Sequence, residues 1–173
     1  VNYCGYTIFY SGLVYGIECI KNGVTTIIDH HASGIDITGS LNILKESICN
    51  CLGMRGIFCF ETSDRFDVAK CIEENMNFCR EPTEYHAGLF GMHASMSLSD
   101  YSLGQIASRI GDIPIHIHVA ESMDDETDCF RKHGKSIVRR LDSFGLLNKN
   151  SILAHCVHID EDEACLIKRK GCY

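Results

Sequence analysis

The segment 115–121, with the sequence IHIHVAE, combines residue types that hydrolytic chemistry uses. If it forms a strand, the two-residue period puts His116 and His118 on one side, with His118 nearer the carboxyl end and Glu121 where the strand ends. An imidazole beside a carboxylate suits a metal-bound water, because histidine can hold the ion while glutamate moves protons. The alternative is a pair of core histidines beside a solvated glutamate. We expect His116 to pack in the interior rather than to bind metal.

A second histidine cluster lies in the segment 153–158, LAHCVH. His155 falls at a predicted strand end, where it could polarise a substrate carbonyl or ring nitrogen, or stabilise an oxyanion. Cys156 would face the opposite side of a strand from His155, so we do not expect a Cys–His nucleophilic pair. His158, just past the strand, is expected to be structural.

Short apolar segments and segments of helical periodicity alternate along the chain. The predicted buried strands are 23–29, 56–61, 87–93, 113–120 and 151–157. The predicted helices are 11–21, 40–52, 67–79, 99–110, 136–144 and 160–170. This alternation implies a parallel sheet covered by helices. A doubly wound sheet and part of a (β/α)₈ barrel both fit the pattern.

Polar residues follow every predicted strand, and this favours the barrel, because barrel enzymes build their sites at the carboxyl ends of the strands. The clusters are Asp29-His30-His31, residues 61–65, His93-Ala94-Ser95, residues 118–121 and residues 155–158. A doubly wound protein that binds a phosphorylated ligand is less favoured. It predicts a glycine-rich loop after the first strand, and residues 29–34 are a poor phosphate cradle.

Composition excludes several classes of protein. The 173 residues are 45% hydrophobic with a net charge of −7, which argues against disorder and against nucleic acid or an anionic membrane as a partner. Eleven scattered cysteines, without a secretory signal at residues 1–4, favour a reduced, cytoplasmic protein over a disulfide framework. The one close pair, Cys49 and Cys51, is a weak metal signal.

HVAE followed by LAHCVH resembles the metal-dependent amidohydrolase superfamily. The resemblance is to the aminohydrolase branch, which includes ATZ/TRZ-type chlorohydrolases, guanine deaminase and adenosine-type deaminases. Segments 22–33, 61–65 and 88–100 resemble most the SsnA-type aminohydrolases. The resemblance covers nearly the whole chain, from the helix before the second barrel strand to the helix after the sixth.

The resemblance implies an α/β fold that forms a portion of a (β/α)₈ TIM barrel, with residues 1–173 as one partial domain. It implies hydrolysis of a C–N or C–Cl bond of a cyclic nitrogenous compound by metal-activated water. Glu121 and His155 would be catalytic, His118 would bind the metal, and His93 and Arg65 would face the substrate. The resemblance assigns no role to Asp29, His30 and His31, which could order their loop by local hydrogen bonds.

The resemblance also implies a metal site that this chain does not complete. The family uses a His-x-His pair after the first barrel strand and an aspartate after the eighth, and the sequence contains neither segment. We therefore expect one divalent ion, zinc or alternatively iron, at an incomplete site, and an inactive chain in isolation. The alternative is an incompetent fragment with only a structural or oligomerisation role. A homo-oligomer, a dimer by resemblance, is expected, with no nucleic-acid or membrane partner.

Overall fold

A computed structural model describes residues 5–34 and 36–173. The expectation that residues 1–4 carry no secretory signal concerns residues outside this range. The chain forms two compact units: the first holds residues up to 61 together with 69–89, and the second holds 62–68 and 90–173. Among the described residues, no helix is both long and apolar enough to cross a membrane.

The first unit contains three parallel strands in the order β1-β2-β3, together with three helices. Its elements are α1 (Gly5–Lys21), β1 (Thr26–His31), α2 (Ser40–Lys45) with a π-helical turn (Glu46–Asn50), β2 (Arg55–Phe60), α3 (Val68–Cys79) and β3 (His86–Gly88). Val68, the first residue of α3, is counted with the second unit.

Buried polar side chains of α3 attach it to its neighbours in the first unit. The Glu74 carboxylate accepts hydrogen bonds from the backbone N–H groups of Gly39 and Leu41, at 2.7 and 2.9 Å, and so caps α2. Asn75 accepts from the N–H of Phe60 at 2.8 Å and donates to its carbonyl at 2.9 Å. These bonds satisfy groups that would be costly to bury alone.

The second unit contains a second set of parallel strands, in the order β4-β5-β6. Its elements are β4 (Phe90–Ala94), a 3₁₀ turn (Ser95–Ser97), α4 (Asp100–Ile110), β5 (Ile115–Val119), α5 (Met123–His133), α6 (Ile137–Ser143), β6 (Ile152–His155) and α7 (Glu161–Lys170). In β5, His118 lies opposite Ala94 of β4 and Ala154 of β6.

Side-chain caps begin three helices of the second unit. Ser99 and Ser122 accept hydrogen bonds from the N–H groups of Ser102 and Asp125, at the starts of α4 and α5. Asp160 forms a reciprocal capping box with Glu163 in α7. The sequence predicts α4 and α7 within one residue of their observed starts, because these caps are encoded locally.

Each predicted strand is present, with ends that differ from the prediction by up to three residues, and one of them is interrupted. The first begins at Thr26 rather than at residue 23, because Gly23, with φ 76°, closes the end of α1. The strand predicted at 87–93 is interrupted at Leu89 and forms β3 and β4. The predicted helix 40–52 is α-helical only to Lys45 and continues as the π-helical turn.

Helix α5 was not predicted, because it lacks an apolar stripe. Cys129 is its one buried apolar residue, and the other buried residue is Asp125. Local signals were nevertheless present: Ser122 as a cap, acidic residues in the first turn, basic residues in the last, and Gly134 in the left-handed region at the end.

Candidate active site

The carboxyl ends of β5 and β6 carry the predicted catalytic residues. Val119 of β5 lies opposite His155 of β6. The backbone leaves both strands through left-handed conformations, with φ 50° at Ala120, 74° at His155 and 50° at Cys156. Non-glycine residues pay a conformational cost there, and such positions cluster at functional sites. The turn is held by the Cys156 N–H, which donates to the carbonyl of Val119 at 2.9 Å.

Glu121, His155 and His118 are neighbours. Nε2 of His155 lies 3.7 Å from Oε2 of Glu121, and the rings of His118 and His155 have centroids 5.4 Å apart. The side chains of His155 and Glu121 are 38% and 66% exposed, so both are accessible to a small molecule. The arrangement brings a proton acceptor and two imidazoles to one strand edge.

His118 is oriented as a histidine that binds a metal would be. Its Nδ1 donates to the carbonyl oxygen of His93 at 2.8 Å, which makes Nε2 the nitrogen with the lone pair. Metal-binding histidines commonly donate their other N–H to a carbonyl in this way. His118 therefore fits a metal ion in its tautomer and orientation. His116, by contrast, is partly buried, and burial lowers its pKa to about 4.

His93, predicted to face the substrate, lies on β4 beside His118, with the ring centroids 5.7 Å apart and the rings edge to face. Its Nδ1 is 2.8 Å from Oγ of Ser97. Sequence reasoning did not single out Ser97. Serines occur throughout the segment 95–102, so no local signal distinguishes this one.

Arg140 of α6 holds the loop that carries Ser97, and it was also missed. Only 2% of Arg140 is exposed. Its guanidinium donates to the carbonyls of Ser95 and Leu98 at 2.9 and 2.8 Å, and to Oδ1 of Asp100 at 2.7 Å. From the sequence, the adjacent residues Arg139 and Arg140 would both be expected on the surface. Only the tertiary structure shows that Arg140 is buried.

Arg65 lies in a segment that adjoins the same loop. The Asp64 N–H donates to the carbonyl of Ser97 at 2.9 Å, and Nε of Arg65 donates to Oγ of Ser63 at 3.2 Å. Arg65 and Ser97 both line a cavity of about 660 Å³, whose wall also includes Lys132. Glu121, His118, His155 and His93 do not line this cavity, so it places Arg65 at a surface apart from the strand ends that carry those residues.

Asp29, His30 and His31 belong to the first unit and are strand residues at the end of β1, not members of a loop. Burial raises the pKa of Asp29 and lowers that of His31 to about 4. The ring of His31 packs edge to face on Phe60, with centroids 5.8 Å apart. These residues therefore precede the loop rather than form part of it, and their role in ordering it stays a prediction.

Solved structures define the class of fold. The chain matches an atrazine chlorohydrolase from Arthrobacter aurescens, described as a zinc complex, with a TM-score of 0.84 and 18% identity over 99% of this chain and 42% of that one. It matches a zinc-bound adenosine deaminase from Xanthomonas campestris with a TM-score of 0.81 and 17% identity, over 98% and 39% of the two chains. The fold is thus part of a parallel α/β barrel, as predicted.

The amidohydrolase family model matches residues 4–172, and the chain belongs to that family. Among its relatives is a 5'-deoxyadenosine deaminase of Methanococcus maripaludis, 30% identical over 96% of this chain and 40% of the relative. Another is a 5-methylthioadenosine/S-adenosylhomocysteine deaminase of Pelotomaculum thermopropionicum, 29% identical over 94% and 37%. The chain spans about two fifths of the length of these relatives. The predicted family is confirmed, and none of these relatives tests the narrower SsnA-type resemblance.

Proposed function

We propose that the chain supplies the acid–base part of a metal-dependent amidohydrolase that hydrolyses a C–N bond of a cyclic nitrogenous compound. One observation carries the proposal: Glu121, His155 and His118 meet at the ends of β5 and β6, with Glu121 and His155 3.7 Å apart. The relatives' activities support the deaminase class. Because the chain spans only part of those proteins, the activity is proposed for a complete barrel.

Glu121 and His155 have complementary roles in this proposal. Glu121 accepts a proton from the attacking water as its oxygen bonds to the electrophilic ring carbon. His155 then stabilises the oxygen and nitrogen charges of the tetrahedral species through Nε2. Glu121 returns its proton to the departing amine as the C–N bond breaks. The products are a ring carbonyl, in its hydroxy or oxo form, and ammonia; where a C–Cl bond is cleaved, chloride departs instead and Glu121 releases its proton to solvent.

His118 would hold the divalent ion, together with ligands from barrel strands outside this sequence. A zinc or iron ion in that position would supply Lewis acidity and make a water molecule more acidic. The donation from Nδ1 of His118 to the His93 carbonyl supports this role, because it fixes the ring and its tautomer. Zinc in two similar structures supports zinc over iron.

His93 and Arg65 would bind the substrate. We propose that residues 1–173 form the second to sixth strand–helix units of the barrel, and that the whole protein is a cytoplasmic homodimer. The ten free cysteines among the described residues support a reducing compartment. Light scattering of the purified protein tests the dimer, and a monomer at micromolar concentration would overturn it.

Glu121→Gln tests the proposed chemistry in the protein that contains the whole barrel. We expect kcat for 5'-deoxyadenosine or a chlorotriazine to fall by about 100-fold or more, because the amide cannot relay a proton. Release of ammonia or chloride measures the rate. Glu161→Gln, on the exposed first turn of α7, is the matched control and should keep wild-type kcat. Wild-type turnover in the Glu121 variant would show the assignment to be wrong.

A further inference from the structure

We propose that Cys156 is a positioning residue that holds His155 in place beside Glu121 in the proposed reaction. It acts through the turn that follows β6, residues 155–158, which we call the β6 turn. Its backbone conformation and a hydrogen bond from its thiol close this turn, and its sulfur takes no part in covalent chemistry. This role rests on the proposed function, which makes His155 and Glu121 the catalytic pair.

The side chains of His155 and Glu121 are 38% and 66% exposed, so packing constrains them only in part. Nε2 of His155 nevertheless lies 3.7 Å from Oε2 of Glu121. A catalytic group must be held accurately, because a displacement of about 1 Å can cost about 100-fold in rate. The backbone that carries each side chain therefore has to fix where the pair meets.

Three consecutive N–H groups of the β6 turn bind the carbonyl groups at the end of β5. The N–H of Cys156 donates to the carbonyl of Val119 at 2.9 Å. The N–H groups of Val157 and His158 both donate to the carbonyl of Ala120, at 3.1 and 3.2 Å. The acceptors directly precede the proposed acid–base residue, and the donors directly follow the proposed imidazole partner. These bonds therefore tie the position of one catalytic residue to that of the other.

The β6 turn begins with two consecutive left-handed residues, His155 with φ 74° and Cys156 with φ 50°. A residue with a Cβ atom pays a conformational cost in this region, and the conformation persists only where the surrounding structure compensates for it. Loss of a contact that compensates should let the turn relax toward a right-handed or extended backbone. Such a change would move His155 away from Glu121.

The Cys156 thiol supplies one of these contacts. Sγ donates to the carbonyl oxygen of Leu153, three residues earlier in the chain, at 3.4 Å. Burial, and after it the carboxylates of Glu163 and Glu126, raises the pKa of the thiol above its ordinary value of 9.0. The thiol therefore stays protonated at neutral pH and remains a donor. A serine hydroxyl at this position can donate in the same way.

Activity of the protein that contains the whole barrel tests this role, with ammonia release from 5'-deoxyadenosine as the rate. In Cys156→Ala, kcat should fall about 10-fold with little change in KM, because a displaced His155 loses interactions made in the transition state. Cys156→Ser keeps a donor and should retain at least about half of the wild-type kcat. Cys165→Ala, at an exposed cysteine of α7, is the control and should keep the wild-type kcat. Wild-type kcat in Cys156→Ala, or equal losses in the alanine and serine variants, would overturn the proposal.

NMR on the 173-residue chain measures the turn without turnover. Left-handed residues have a short distance between the amide and α protons and so give a strong NOE between them. His155 and Cys156 should both show this NOE in the wild type and in Cys156→Ser, and the NOE of His155 should weaken in Cys156→Ala. An unchanged NOE in Cys156→Ala would refute the role of the thiol. That result is distinguishable from wild-type turnover in Glu121→Gln, which concerns the proposed function.

Discussion

At the scale of the residue, burial sets the proton affinity of Glu126 in α5. The pKa of its carboxyl is raised to about 6, chiefly by desolvation and also by the neighbouring carboxylates of Glu163, Asp125 and Asp160, against the lowering effect of the Ile137 N–H. Oε2 of Glu126 accepts that N–H at 3.2 Å. The ionised Glu126 side chain thus accepts a backbone hydrogen bond, although its ionisation lowers the stability of the folded protein.

Glu126→Gln is expected to stabilise the protein above pH 6 by about 1 kcal/mol, because the amide oxygen can still accept from Ile137 without the charge. The folded-state pKa lies above the unfolded value of 4.5, so the folded state binds the proton more tightly. The cost of ionisation is therefore absent below the unfolded pKa, grows as pH rises, and is complete above about 6.

Urea unfolding at a series of pH values measures this difference. The advantage of the Glu126 variant should shrink as the pH is lowered from 7 toward the unfolded pKa of 4.5. Glu73→Gln, at an exposed position of α3, should show no such trend. A difference independent of pH would mean that packing, and not ionisation, accounts for the change.

At the scale of the element, α6 and the loop after β4 are joined by one buried side chain. Arg140 makes charge-assisted hydrogen bonds to Ser95, Leu98 and Asp100, so the position of the loop depends on α6. Asp100 lies in the first turn of α4, and its pKa is lowered chiefly by the hydrogen bond and charge of Arg140, against desolvation. The same arginine therefore supports both the loop and the helix that follows it.

Arg140→Met should lower the free energy of unfolding by about 3 kcal/mol, because the buried carbonyls of Ser95 and Leu98 lose their donors. Chemical denaturation measures the loss. Arg139→Met is a matched control, since Arg139 is half-exposed and its carboxylate partners are 3.7 and 3.9 Å away. That control should change stability by less than about 0.5 kcal/mol. Equal effects of the two substitutions would contradict the role of Arg140.

At the scale of the whole molecule, the chain covers less than half the length of its relatives, and this bears on whether it could bind a metal ion by itself. It spans 37% and 40% of two curated deaminases, and 42% of the atrazine chlorohydrolase chain. A catalytic zinc needs about three protein ligands, and the sequence motifs supply one by family resemblance, His118. A catalytically incompetent fragment with a structural role is therefore the second candidate function.

The isolated chain should hold zinc weakly. Elemental analysis after dialysis against buffer is expected to find well under one ion per chain, and His118→Ala should lower the zinc affinity further. The zinc affinity of His158→Ala, a histidine outside the proposed site, should equal that of the wild type. Tightly held, stoichiometric metal would contradict the incomplete site and would imply ligands from another copy of the chain or from residues not assigned to the site.

Helix and strand positions follow from local chemistry, and this explains how much of the fold was predictable. Ser99 and Asp160 cap α4 and α7, the apolar run of β2 marks a mostly buried strand, and β5 alternates buried apolar residues with partly buried histidines. The interruption at Leu89 and the π-helical turn after Lys45 were not predictable, because they arise from pairing and packing with distant segments. Helix α5 was missed because it buries almost no apolar surface.

The sequence alone determined the parallel α/β class, the family and the grouping of Glu121, His118 and His155. Parallel strands bring their carboxyl ends to one edge, so residue types at strand ends specify a site before any contact is known. Only the tertiary structure decided that Arg140 is buried and that it donates to the carbonyls of Ser95 and Leu98. Hydrogen-bond partners and desolvation of this kind depend on atoms that lie far apart in the chain, and no periodicity encodes them.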